Sequence, residues 1–489
     1  MNARLIKETR DLLPMFAGTL PIIVVPTLIW PPLGFGYFAL GVACVVMAGS
    51  SFGNEFQHRT LSLLLSQPIP RSVLWRDKML VLGAGLLTSL ATLLVCLAVR
   101  RPVIDGQDWL TLALIPLCAF CGTPFWTLAL RHGIGGMVVA VGAPCGILAV
   151  YALVAERLGG NESAALVSAI LILLVIYCAV VYWLGYATFK RLEAVDGPSR
   201  ELGLPAGLEA LFVAPLTKMS SRFRGPFAAL LKKEFRLQQI SFMLAGLCVL
   251  IAVAGSCLAK HHPELAAGIV GGDIFIYALI LPLIAGAISV AEERGWGMAE
   301  WHLTLPPSAL KQWSAKMLAA LSTSLVLGLL LPAAMFLVAN PLFSRPSTRT
   351  SLPPAFEILN WVLGQLLVTS VAIYAASFSK NTLRAILAAF VILAASVSAV
   401  VLMARGVELV APTLFQLLGR PHVEEGMMLS LLSGALALML CLMQGFAWWN
   451  FRRSGPAALR LVVQFTVILA FVCQLSLTFF WVLHSQRGN

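Results

Sequence analysis

Side chains able to do chemistry are few in this chain, and most sit within or beside apolar runs. Cys118 and Cys121 form a CxxC, the spacing of half a zinc site or of a redox pair. Leu117, Phe120 and Phe125 surround that pair, and no second pair or nearby His completes a metal set. The two thiols therefore read as small packing residues in a span. His261-His262 has no ligand partner near it in sequence. Asp273, Gln365 and Gln444 are the notable polar residues in or beside spans. An ionisable group in a membrane marks function by default, whereas a buried Gln more often bonds a neighbouring helix. Glu292-Glu293 with His302 is the one grouping that could serve an enzyme. No HExxH, paired carboxylate or Ser/His/Asp set lies within the spans, and no GxxxxGK[ST] phosphate loop occurs.

The elements that must position these residues follow from composition. Of 489 residues, 59% are hydrophobic and 11% charged, against about 25% charged in an average soluble domain. So little charge cannot cover a soluble globule of this size, and the mean hydropathy of +0.89 agrees. A soluble enzyme, a disordered chain and a disulfide scaffold are excluded, and a polytopic membrane protein remains. The net charge of +12 would point to nucleic acid in a soluble protein. Here it is read as sidedness, and no nucleic-acid partner is expected. The ten cysteines lie in apolar runs or at their edges, away from outer loops that could oxidise them.

A bilayer core takes roughly 20 apolar residues per helix. Runs of that kind fall near residues 15–33, 35–53, 79–99, 109–130, 134–155 and 165–188. After a polar stretch they resume near 240–259, 271–291, 317–339, 357–378, 384–404 and 427–449, with a thirteenth at 461–483. The first run ends in Trp-Pro-Pro without a small-residue cleavage site, so it reads as an uncleaved span. With the N-terminus cytoplasmic, about three quarters of the Lys and Arg residues fall inside, as the positive-inside rule requires. The expected location is the plasma (inner) membrane.

The two halves of the sequence match. The run from Leu5 to Arg10 resembles that from Leu231 to Arg236, each ahead of its half's first span. After the second span Glu55 falls on Glu293, Leu65 on Leu303, Pro68 on Pro306 and Trp75 on Trp313. Lys78-Met79-Leu80 falls on Lys316-Met317-Leu318, and Phe189-Lys190-Arg191 on Phe451-Arg452-Arg453. Six spans per half is an even number, so the repeat is parallel. The expected fold is an all-α, polytopic transmembrane helical bundle with two parallel six-helix repeats plus an extra C-terminal span. Residues 1–190 form the first unit, 191–225 a cytoplasmic linker, 226–455 the second unit and 456–489 the extra helix.

The segment after the second span is the most informative. In it Glu55, Arg59, Thr60 and Leu61 lead, Leu65 follows, and Pro68 and Pro70 stop the helix. Its second copy runs from Glu292 to Pro307 and keeps the acid and the Pro stop. Such a segment is too polar to span and is expected on the cytoplasmic surface. With Glu-x-x-x-Arg-Thr-Leu-x-Leu-Leu-Leu-Ser-x-Pro placed after the second of six spans, the chain resembles permease subunits of ABC-2 type ABC transporters.

That resemblance implies two kinds of docking element in each half. Connecting helices would lie at 5–10, with Lys7, Glu8 and Arg10, and at 231–236, with Lys233, Glu234 and Arg236. Coupling helices, which meet the ATP-binding subunit, would lie at 55–66 and 293–304. They would carry Glu55, Arg59, Thr60, Leu61, Leu65 and Pro68, and Glu293, Met298, Leu303 and Pro306. Gly297-Met298-Ala299 in place of Arg59-Thr60-Leu61 makes the second copy less typical. The implied partners are two ABC ATPase subunits serving one fused permease chain. ATP and Mg would be bound on the ATPase, with no cofactor on this chain. A largely apolar pathway through the spans suits an amphipathic or lipid-like cargo, such as a drug or antibiotic, and the expected direction is export. A twelve-span secondary transporter would need intramembrane acids for ion coupling. An integral-membrane enzyme would need more than Glu292, Glu293 and His302.

Overall fold

The protein is described from a computed structural model. It covers residues 3–29, 33–57, 60–100, 106–157, 164–192, 225–258, 263–295, 297–298, 307–335, 355–418, 425–453 and 458–486. Residues 193–224, nearly all of the expected linker, lie outside the described residues, as do Arg59, His261, His262, His302, Leu303 and Pro306.

Long apolar runs with few turn formers leave the backbone one way to satisfy its own hydrogen bonds in hydrocarbon, which is the helix. The first half contains α1 (Ala3–Ile29), α2 (Leu33–Gln57), the short α3 (Leu61–Leu65), α4 (Arg71–Arg100), α5 (Gly106–Leu130), α6 (Gly133–Arg157) and α7 (Ala164–Arg191). The second contains α8 (Pro226–Leu237), α9 (Gln239–Leu258), α10 (Pro263–Gly295), α11 (Ala309–Leu325), α12 (Ala355–Phe378), α13 (Thr382–Leu418) and α14 (Glu425–Phe451). Helix α15 (Ala458–Gln486) follows, and no strand occurs among the described residues. The fold is an all-α polytopic bundle. Among the described residues, eleven helices are long and apolar enough to cross a membrane, the α8–α9 pair makes a twelfth if counted as one bent span, and Gly133–Leu148 of α6 is a shorter apolar helix.

Neighbour relations recur between the halves. The second span, α2 or α10, sits centrally against spans one, three, four and five of its half; in the second half it meets the third span through α11. The fourth, α5 or α12, packs on the fifth and sixth. Across the halves the pairing is reciprocal, α1 with α13 and α9 with α6. Leu87, Leu250, Leu402 and Val462 are exposed on the outside of the bundle, where hydrocarbon rather than water accepts them.

Where two helices approach closely, the contact surface is built from small residues. Ala285, Ala287 and Ala291 of α10 and Ala372, Ala375 and Ala376 of α12 are fully buried. A methyl added at Gly286 would lie 2.7 Å from both the Ala372 Cβ and the Thr369 carbonyl. Gly286→Val is therefore expected to destabilise the bundle by about 1–3 kcal/mol, the usual cost of overpacking. Thermal unfolding in detergent reads this; an unchanged midpoint would contradict the close α10–α12 crossing.

Two departures from repetition have physical causes. The first connecting segment, expected as a separate helix at 5–10, is continuous with the first span in α1. The second, α8, is separate and bends by 46° into α9. At the bend Gln238 is buried, and its side-chain nitrogen donates to the Ala285 carbonyl at 3.0 Å. The third span of the second half also widens into a π turn at Val326–Leu330. The Tyr277 hydroxyl donates to the Leu327 carbonyl within it, at 3.1 Å.

The extra helix α15 packs on α13 and α14. Its Gln464 is 1% exposed and exchanges hydrogen bonds with Asn450 at 3.0 and 3.3 Å, while the Tyr374 hydroxyl donates to Gln464 at 3.3 Å. A polar knot of this kind ties one helix to a bundle where burial of apolar surface gives no preference over lipid.

Candidate functional site

The residues matched between the halves converge into two buried ion clusters, built alike. Glu8 of α1, Glu55 in the last turns of α2 and Lys78 of α4 meet in the first half. The Lys78 Nζ donates to Glu8 at 2.7 Å, to Glu55 at 3.1 Å and to the Ser51 carbonyl at 3.3 Å. Glu234 of α8, Glu293 of α10 and Lys316 of α11 meet in the second. There the Lys316 Nζ lies 2.9 Å from each carboxylate and 3.0 Å from the Ser289 carbonyl. Both lysine side chains are 3% exposed. In each copy the accepting carbonyl lies one helical turn before the second-span glutamate, which is why the register survives duplication.

The clusters also close the second span in the same way. The Thr60 N–H donates to the Glu55 carbonyl and the Met298 N–H to the Glu293 carbonyl, both at 3.0 Å. Gly297, just before Met298, has φ +71°, a backbone region that glycine enters without steric cost. The copies differ in how the excess acid is met. The Thr60 hydroxyl donates to the Glu55 carboxylate. Met298 has no donor at that place, and Lys233 instead puts a second ammonium 2.6 Å from Glu293. Lys7, the matching residue of the first half, is exposed.

These positions revise the picture of a surface helix led by an acid. Glu55 and Glu293 point inward, 8% and 3% exposed, and belong to the spans. The segment expected as one helix at 55–66 is split, and only α3 lies beyond the turn. Leu64 anchors α3 in the core with Phe52, Trp75 and Phe189. Leu61 and Leu65 are half-buried, whereas Leu63 is 67% exposed and Ser66, Gln67 and Pro68 are exposed beside it. Arg10 and Arg236 are exposed on their connecting segments, and Met298 is half-buried.

A second polar contact joins the halves at the same end of the bundle, called here the basic face. Glu292 accepts from the Thr382 hydroxyl at 2.7 Å and lies 3.6 Å from His132 of the first half. Reciprocally, Asn54 meets Asn381 of the second half at 3.5 Å. Both loops between fourth and fifth spans therefore contact the opposite second span. A double-mutant cycle on His132→Ala and Glu292→Gln is expected to give a coupling energy of about 0.5–3 kcal/mol, the range for directly contacting residues. Additive effects on thermal unfolding would exclude this bridge.

The remaining sequence candidates take structural places. Asp273 accepts from the Cys248 thiol at 3.3 Å, Gln365 donates to the Ala278 carbonyl at 2.8 Å, and Gln444 donates to Ser370 at 2.9 Å. Cys118 lies 3.8 Å from Cys178 on α7, and no group able to hold a metal is found among the described residues. Sequence reading matched Lys78 with Lys316 as repeat anchors but did not foresee that each would bind two matched glutamates. It missed His132 as the partner of Glu292 altogether.

Fold and site together define a multi-pass α-helical membrane protein with an ion cluster repeated in its two halves. No known family model, curated protein or solved structure matches this chain.

Proposed function

We propose that the chain is the permease of an ATP-driven ABC exporter, moving an amphipathic or lipid-like cargo. Two separate ATPase subunits would hydrolyse ATP with Mg and dock on the basic face, which is then cytoplasmic. The single observation that carries the reading is the duplicated Glu–Lys–Glu cluster. Each copy fastens the end of the second span to the connecting segment before the first span and to the start of the third. A push on the loop after the second span would reach three helices at once. Two such points, one per half, suit a pair of identical motors. The chain carries no phosphate loop of its own, so the energy for pumping would enter from outside.

Co-purification with an ABC ATPase, followed by reconstitution, tests the reading. ATP-dependent export by the complex, lost when the ATPase is omitted, is expected. Proton-coupled uptake by the isolated chain would overturn it.

A further inference from the structure

Outside the ion clusters, a groove opens between α4, α5 and α7 at the basic face of the first half, with a volume of about 340 Å³. Leu80 and Phe120 give it an apolar wall, Trp75, Tyr182 and Tyr186 an aromatic one, and Arg76 its charged end. The rings brace one another: Phe120 stacks on Tyr182 at 6.0 Å, and Trp75 meets Tyr182 edge-on at 5.9 Å.

The level of the groove follows from helix length. α4 has 30 residues, about 45 Å of helix at 1.5 Å per residue, against a hydrocarbon core of about 30 Å. The first turns of α4 therefore reach into the headgroup layer, where Trp and Tyr concentrate. Leu80, one turn beyond Arg76, begins the hydrocarbon. An apolar groove open at that depth is filled by a lipid chain, and the group at its polar end chooses the headgroup.

That end is positive. The Arg71 guanidinium donates to the Lys190 carbonyl, and the Lys190 Nζ sits 4.7 Å above the Tyr186 ring. Asp77, on the same helix as Arg71, is shared between Arg4 and Arg76 at 3.9 Å each. The Arg76 side chain is 68% exposed, so it can reach a phosphate while Arg4 stays beside the buried Asp77.

The second half repeats the frame but not the charge. Arg452 sits over Trp448 at 5.5 Å, as Lys190 sits over Tyr186. At the position of Arg76 stands Ser314, whose hydroxyl turns back to the Leu310 carbonyl at 2.8 Å.

We propose that the α4–α5–α7 groove binds one anionic phospholipid of the leaflet at the basic face, its phosphate on Arg76 and an acyl chain along Leu80 and Phe120. The site does not depend on the ATPase reading. The test uses the full chain in detergent micelles containing equal phosphatidylglycerol and phosphatidylcholine, with retained lipids counted by native mass spectrometry. The wild type is expected to hold one phosphatidylglycerol in preference to phosphatidylcholine. Arg76→Gln should lower that retention about fivefold, the effect of one cation at an anionic surface, with an unchanged unfolding midpoint. Lys380→Gln, the same charge change in the second half, should leave retention unaltered. Equal retention of the two lipids, or equal loss in both variants, would overturn the proposal. So would full retention in Arg76→Gln. Excess inorganic phosphate should not displace the lipid; displacement would reassign the groove to a free anion and overturn the lipid assignment.

Discussion

Lys78→Met is expected to destabilise the protein by about 3–5 kcal/mol, the cost of removing one partner from a buried ion pair. The substitution leaves Glu8 and Glu55 facing one another around an apolar side chain, with the Ser51 carbonyl also losing its donor. Urea or thermal unfolding in detergent measures the loss. Lys316→Met should cost less, because Lys233 still stands 2.6 Å from Glu293. Equal losses at the two lysines would show that Lys233 does not compensate there. Removing all three charges, as Glu8→Gln, Glu55→Gln and Lys78→Met together, should recover most of the stability. A buried charge set costs desolvation that a neutral set avoids, so such replacements are often neutral. On the proposed export reading, wild-type transport by the triple variant would show that the cluster serves stability alone and transmits no force.

On the proposed docking of an ATPase, Leu63→Asp is expected to weaken that association about thirtyfold while leaving the chain folded. Leu63 is 67% exposed on α3 and contributes little to the core, which α3 enters through Leu64. Surface substitutions of this kind usually change stability by less than about 0.5 kcal/mol. An apolar residue at the centre of a docking surface, by contrast, is worth about 2 kcal/mol or more, a factor of about thirty in Kd. Titration of the detergent-solubilised chain with the ATPase reads the difference. Normal binding by Leu63→Asp would remove α3 from the docking surface. Glu55→Gln serves as the contrast: its carboxylate is buried, so any loss of binding should come together with a lower unfolding midpoint.

These two variants separate roles that the sequence merged. Glu55 and Leu63 stand eight positions apart in one polar-to-apolar segment, and on composition alone both belong to one surface helix. The end of α2 at Gln57 and the separate start of α3 at Leu61 divide them. A carboxylate that meets a lysine from the next span is drawn inward, and a leucine opposite a core leucine is left outside.

Much of the architecture was legible before any coordinates. Apolar runs of bilayer length allow only helices, so the spans and the all-α class follow from hydropathy and backbone hydrogen bonding. The duplication was legible too, because Glu8, Glu55 and Lys78 and their matches Glu234, Glu293 and Lys316 keep type and order. Their meeting was not. Seventy residues separate Glu8 from Lys78, and nothing local tells which face of one span turns toward another. In hydrocarbon the outer and inner faces of a helix are both apolar, so periodicity carries little information about facing. Helix packing alone decided that charges matched along the chain would become ion clusters in space. It decided also that His132 would answer Glu292 across the halves, and that Gln464 would tie α15 to Asn450.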